Sequence, residues 1–182
     1  MLLNIKDMKF CKAEHFTIDT TDGVTKKMKL VSNGGFEIVL FYSEKCPHCY
    51  DYLKAFGNCN DKATNVTFTL VNVDDARSLI ELSKGTNTEL QQVPYIVMFV
   101  NGDAFMSYSG PPEINDILEF CHDVSVYYIE STNTDNKNEP ATATKTPSNS
   151  CAPGDTKCLF EGVKYRQDYC TLSDAYRDRT ST

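Results

Sequence analysis

Two cysteines three positions apart, in Cys46-Pro47-His48-Cys49, are the residues of this chain whose types and spacing point most directly to chemistry. A thiolate attacks disulfides and also ligates zinc, so the pair by itself reads either as a redox dithiol or as half of a zinc site. Its surroundings favour redox. The nearly continuous apolar run Phe36 to Tyr42 reads as a strand buried on both faces. Pro47 suits the first turn of a helix in which Cys49, Leu53 and Phe56 share a face and Gly57 marks a stop. Such a corner sets Cys46 over the unpaired N–H groups and positive end of the helix, which stabilises its thiolate and lowers its pKa. Cys49, one turn in, is expected to be less exposed and to resolve a mixed disulfide on Cys46 by attacking from inside. His48 is placed to donate to the Cys46 thiolate, and Lys45 either adds positive charge beside it or is merely solvated. Val93-Pro94 opens a later strand, where a cis X-Pro bond would lie beside the thiols.

The elements that must hold this corner follow from periodicity. Val66 to Val73 alternates as a strand rich in β-branched residues, and Asp74 and Asp75 are candidate caps for a helix carrying Ala76, Leu79, Ile80 and Ser83 on one face. Tyr95 to Val100, then Asn101-Gly102, then Asp103 to Tyr108 spell a hairpin. Pro112 introduces a last helix with Ile114, Ile117, Leu118, Cys121, Val124 and Tyr128 along one stripe, Cys121 facing the core. Phe16 to Asp19 and Val24 to Val31 flank Asp22-Gly23, which reads as a second hairpin, the alternative being that the second segment begins a helix. The order is α/β, with parallel pairs followed by an antiparallel one.

The chain has 182 residues, a net charge of -7 and eight Cys, which fits one domain with an appendage. So acidic a chain is a poor polyanion binder, and no nucleic acid is expected as a partner. No apolar run approaches a bilayer span, so no membrane is expected. Met1 to Asp7 breaks its apolar run at Asn4 and Lys6, too soon for a signal peptide, and the expected address is cytoplasmic. Residues 130–150 contain no Ile, Leu, Val, Met or aromatic side chain. They read as a flexible, disordered linker between a domain at 1–129 and a Cys-containing tail at 151–182. Cys11, Cys59 and Cys121 read as inert buried thiols, and His15 and His122 have no partner at metal-ligand spacing. The tail holds Cys151, Cys158 and Cys170. Three readings stand: a clip between Cys151 and Cys158, a tethered thiol that docks on Cys46 as substrate, resolver or inhibitor, or a partner-binding tail with unpaired Cys. Its odd number of thiols also permits dimerisation through an intermolecular bond. No zinc spacing occurs there.

Taken together, the strand before Cys46-Pro47-His48-Cys49, Val93-Pro94 before a strand, Asn101-Gly102, and Tyr108-Ser109-Gly110-Pro111 before the last helix resemble the landmarks of the thioredoxin superfamily, in order, over about residues 15 to 128. The resemblance implies a thioredoxin fold, a central mixed β-sheet flanked by helices. It makes Cys46 the nucleophile, Cys49 the resolving cysteine, and Pro94 the cis-proline whose preceding residue, Val93, offers backbone groups to a substrate peptide. The Pro47-His48 dipeptide is similar to that of bacterial periplasmic thiol oxidases and close to that of glutaredoxins and disulfide isomerases. The stretch from Cys49 to Pro94 is too short for the oxidases' inserted helical domain. Leu40 stands where thioredoxins and isomerases carry a buried carboxylate, and the glutaredoxin glutathione motif is replaced by Gly110-Pro111-Pro112-Glu113.

The expected function is therefore protein thiol-disulfide exchange through Cys46 and Cys49, without bound cofactor or metal, on protein disulfide or dithiol substrates, with a separate electron donor or acceptor protein. The rival is a non-catalytic thioredoxin-fold interaction or structural module. The chain also looks like the thioredoxin-like proteins of large DNA viruses, which would make the virion or a viral assembly site an alternative address.

Overall fold

β-Branched and aromatic residues dominate the segments that pair, and the pairing builds outward from one strand. The computed structural model describes residues 8–20, 23, 26–134 and 170–172. Strand β1 is Lys9–Phe10, β2 is Phe16–Asp19, β3 is Lys27–Leu30 and β4 is Phe36–Tyr42; helix α1 is Cys49–Asn60, β5 is Val66–Asn72 and α2 is Ser78–Ser83. Then come β6 at Gln92–Val93, β7 at Tyr95–Val100, β8 at Asp103–Tyr108, α3 at Ile114–Thr134, and β9 at Cys170–Thr171. A seven-stranded sheet runs in the order β1-β5-β4-β7-β8-β3-β2, while β6 and β9 form a separate pair.

β4 lies at the centre, parallel to β5 and antiparallel to β7. Ile38, Val39, Leu40 and Phe41 are fully buried, as a strand covered on both faces requires. Its buried carboxylate, Glu37, accepts from Lys9 Nζ at 2.7 Å and from Thr69 Oγ1 at 2.6 Å, which ties the edge strand β1, across β5, to the central strand. Phe16 packs on Phe41 and Phe99, and Phe56 meets Phe68 edge-on. α1 packs against α3 and β5. The Tyr52 hydroxyl donates to the Gly110 carbonyl at 2.8 Å, tying α1 to the loop that leads into α3. Both expected hairpins form, β2 with β3 and β7 with β8. In the second, Asn101 and Gly102 both have positive φ, and the Leu30 amide donates to the Gly102 carbonyl at 2.7 Å.

Three local expectations are corrected. Gly57 does not stop α1: it is buried within the helix, which continues to Asn60 because Phe56 and Cys59 are both fully buried, and that packing outweighs the cost of about 1 kcal/mol for an interior glycine. Asp74 and Asp75 do not cap α2, which begins at Ser78 after Arg77; Asp74 turns instead to the loop before α1. α3 runs through Thr134, five residues beyond Ile129, and the hydroxyls of Ser131 and Thr132 donate back to the Tyr128 carbonyl. The rest of the stretch read as linker, with Cys151 and Cys158, lies outside the described residues. Among the described residues no helix is long and apolar enough to cross a membrane.

Candidate active site

β4 ends at Tyr42, and residues 43–48 turn the chain into α1. Two bonds shape the turn: the Cys46 amide donates to the Ser43 carbonyl at 3.2 Å, and the Cys49 amide to the Cys46 carbonyl at 3.1 Å. Cys46 thus precedes the helix while Cys49 is its first residue. Pro47 and His48 lie on the outside of the turn, both exposed, with His48 as the helix cap residue. Opposite stands the Val93-Pro94 peptide bond, which is cis. Val93 is fully buried, and its carbonyl oxygen lies 3.5 Å from Cys46 Sγ.

The two thiols differ in kind. Cys46 is bonded to Cys170, 124 residues away in sequence, with the two Cα atoms 5.9 Å apart. Cys49 is free, 1% exposed, and its pKa is pushed up to about 11, first by burial and further by the negative charge of Asp74, while a Ser43 backbone hydrogen bond pulls it the other way. A thiol so buried is held mostly protonated, so only its small thiolate fraction can react.

The segment around Cys170 reaches Cys46 as a strand. Val93 is opposite Cys170 and Gln92 opposite Thr171, antiparallel. The Leu172 amide then donates to the Gln91 carbonyl at 3.1 Å, and the Leu172 side chain is 4% exposed, within the same buried cluster as Cys46, Cys49 and Val93. Of the three tail readings, the docked thiol is the one the described residues display.

Asp74 was misread from sequence as a cap. Its Oδ2 accepts from Ser43 Oγ at 2.7 Å and from the Glu44 amide at 3.0 Å; its Oδ1 is buried without a hydrogen bond, 3.5 Å from Lys45 Nζ. Lys45 is thus ion-paired rather than merely solvated. Leu40 is fully buried on β4, whose buried carboxylate is Glu37; the acidic charge that bears on Cys49 is Asp74, in the turn just after β5. Gln91, Gln92 and Leu172 were also missed. The only signal was Cys170-Thr171-Leu172 itself, an apolar residue two places after a cysteine in a polar tail. Among the described residues no cluster of three or more His, Cys, Asp or Glu side chains is arranged to hold a metal ion. Cys11, Cys59 and Cys121 are buried, with pKa raised by burial, to about 12 for the last two, as expected of inert thiols.

A family model described as Thioredoxin matches residues 17–123. Two viral proteins are similar in sequence. Uncharacterised protein 196R of Invertebrate iridescent virus 6 is 26% identical over 114 residues, and uncharacterised protein 020R of Invertebrate iridescent virus 3 is 30% identical over 109 residues. These alignments cover 63% and 59% of this chain and 66% of each relative, so the chain spans just under two thirds of the curated relatives it matches. Among solved structures, human ERp44 form I aligns with a TM-score of 0.49 at 15% identity, over 64% of this chain and 29% of that one. The J-Trx1 fragment of ERdj5 aligns with a TM-score of 0.48 at 20% identity, over 66% and 50%.

Proposed function

Given that the chain belongs to the thioredoxin family, we propose that it is a protein thiol-disulfide oxidoreductase in which Cys46 attacks, Cys49 resolves, and the strand before Pro94 holds the substrate chain. The observation that carries this reading is the bond between Cys46 and a cysteine lying in a strand paired with Gln92–Val93, with the free Cys49 buried beside it. That is the arrangement of a mixed disulfide awaiting resolution. Thiolate attack by Cys46 on a substrate disulfide forms the mixed disulfide and releases one substrate thiolate. Cys49 then attacks Cys46 Sγ, forms Cys46–Cys49 and releases the second thiolate, so two electrons pass from the dithiol to the substrate; oxidation of a substrate dithiol is the reverse. His48, exposed at the mouth, is assigned to stabilising the Cys46 thiolate once Cys46 is free. The reading includes protein substrates, a cytoplasmic address and a separate redox partner protein.

The test is exchange with a fluorescent disulfide peptide. In the pre-reduced chain carrying Cys170→Ser, which frees Cys46 from its partner, Cys46→Ser should abolish exchange, and Cys49→Ser should accumulate a Cys46–peptide adduct visible by mass. Turnover that persists in Cys46→Ser overturns the reading. If, instead, the Cys46–Cys170 bond never exchanges in the wild-type chain, the molecule is a closed thioredoxin-fold module, the second reading that this bond favours.

A further inference from the structure

Four contacts fix the segment at 170–172, and they differ in what they recognise. The Cys46–Cys170 bond selects a cysteine. The antiparallel pairing of Cys170 with Val93 and of Thr171 with Gln92, and the Leu172 amide to the Gln91 carbonyl, use backbone groups that every residue type has except proline at the donor. The fourth is specific: the aliphatic side chain of Leu172, two positions after the reacting cysteine, is removed from water into the buried cluster. In recognition by strand addition, backbone bonds supply affinity and side-chain pockets supply selection.

We propose that Cys170-Thr171-Leu172 occupies the groove as a captive substrate, and that the groove selects extended cysteine peptides with an aliphatic side chain two residues C-terminal to the reacting cysteine. This rests on the oxidoreductase reading and names the substrate class of the same site. The captive strand leaves by a balanced exchange. The Cys49 thiolate attacks Cys46 Sγ, the Cys46–Cys170 bond breaks, the Cys46–Cys49 bond forms, and Cys170 departs as a thiolate that takes up the proton Cys49 gave to solvent. No external oxidant or reductant is consumed, and the groove is left open with an oxidised dithiol. Reduction of that dithiol by a partner thiol arms the site for an incoming peptide, and the segment at 170–172 competes with that peptide for the same backbone edge.

The experiment uses the full chain carrying Cys170→Ser, which keeps Cys46 and Cys49 and removes the covalent competitor. Its reduced form is offered peptides of the series Tyr-Cys-Thr-Xaa, the cysteine held as a mixed disulfide with a small aromatic thiol whose release is read by absorbance. Burying a leucine is worth a transfer energy that corresponds to about 30-fold in rate constant. The peptide with Leu should exceed those with Ser or Asp by about that factor in the second-order rate constant for thiol release in a single turnover of the reduced chain. Methylation of the leucine backbone nitrogen, which removes the donor to Gln91, should lower it again by about fivefold. Equal rates for Leu, Ser and Asp overturn the selection while leaving the exchange activity standing. Absence of thiol release with every peptide overturns both the selection and the oxidoreductase reading beneath it. Because only the peptides vary, folding of the protein does not enter the comparison.

Discussion

In the proposed exchange that frees Cys170, the buried state of Cys49 sets the pH dependence, and the magnitude follows from one thiol. With its pKa pushed up to about 11, Cys49 is thiolate in about one molecule in 10,000 at pH 7, against about one in 100 for an ordinary thiol near 9. Its higher basicity returns part of that: with a Brønsted coefficient of about 0.45, two pKa units raise intrinsic nucleophilicity by about eightfold. The net effect of burial is a step about 12-fold slower at pH 7. The decisive quantity is the shape of the profile. Between pH 7 and 10 the rate should climb by about 900-fold, whereas a thiol titrating near 9 would gain about 90-fold and level off. The assay starts from the Cys46–Cys170 form, jumps the pH in a quenched-flow mixer with a maleimide present to cap Cys170 as it leaves, and counts Cys46–Cys49 by mass after digestion. A plateau below pH 9.5 would refute the assignment of the rate to a buried Cys49, as would a rate independent of pH.

Asp74→Asn removes the negative charge that faces Cys49, so in the same assay at pH 7 to 8 the exchange should speed up by roughly two- to fivefold; a slower variant would mean instead that Asp74 accepts the Cys49 proton. The buried thiols also make the fold sensitive to alkali. Burial raises the native pKa of Cys49 to about 11 and of Cys59 and Cys121 to about 12, so above about pH 9 the unfolded chain loses these protons first. Stability is then fully present below pH 9 and falls as pH rises toward 11 to 12, by up to about 1.4 kcal/mol per pH unit for each thiol. Urea midpoints at pH 7, 9 and 10.5 should drop accordingly, and Cys59→Ala should show a shallower fall; parallel profiles would contradict this. Gly102→Ala puts a Cβ 2.6 Å from the Leu30 carbonyl oxygen at φ +89; the fold should lose about 2 kcal/mol or more, read as a melting temperature lower by about 8 °C.

Most of what positions the dithiol was legible because the relevant signals are local and strong. Phe36 to Tyr42 could bury both faces only as a central strand, and Asn101-Gly102 carries the positive φ values a two-residue hairpin demands. Cys46, Cys49, Val93 and Pro94 fall together because the corner leaves the end of β4 beside the start of β7, its directly paired neighbour. What was not legible depended on contacts distant in sequence. Asp74 looked like a cap because two acidic residues before a helix usually are, but the free loop groups of Ser43 and Glu44 bind it more strongly than a helix end three residues further on. Lys9 and Phe10 form a strand only because β5 offers an edge and Glu37 a buried counter-charge. The place of Cys170 could not be read from spacing at all: a backbone edge at Gln91–Val93 fixes it, and such edges leave no mark in the partner's sequence beyond an apolar residue.

The docked strand and the dithiol are not competing accounts of the site. A strand tethered to its own groove competes at an effective concentration that can reach millimolar, so a free peptide using the same backbone bonds and the same kind of side chain would lose to it at ordinary cellular concentrations. It gains access only after Cys49 has displaced Cys170 and the dithiol has been reduced again. On the proposed mechanism, the buried Cys49 sets two times at once: how long the chain holds its own segment, and how long it holds any substrate cysteine that takes that segment's place. The same thiol performs both displacements, so any substitution near Cys49 that lengthens the first should lengthen the second in proportion, while Leu172 bears on the first alone.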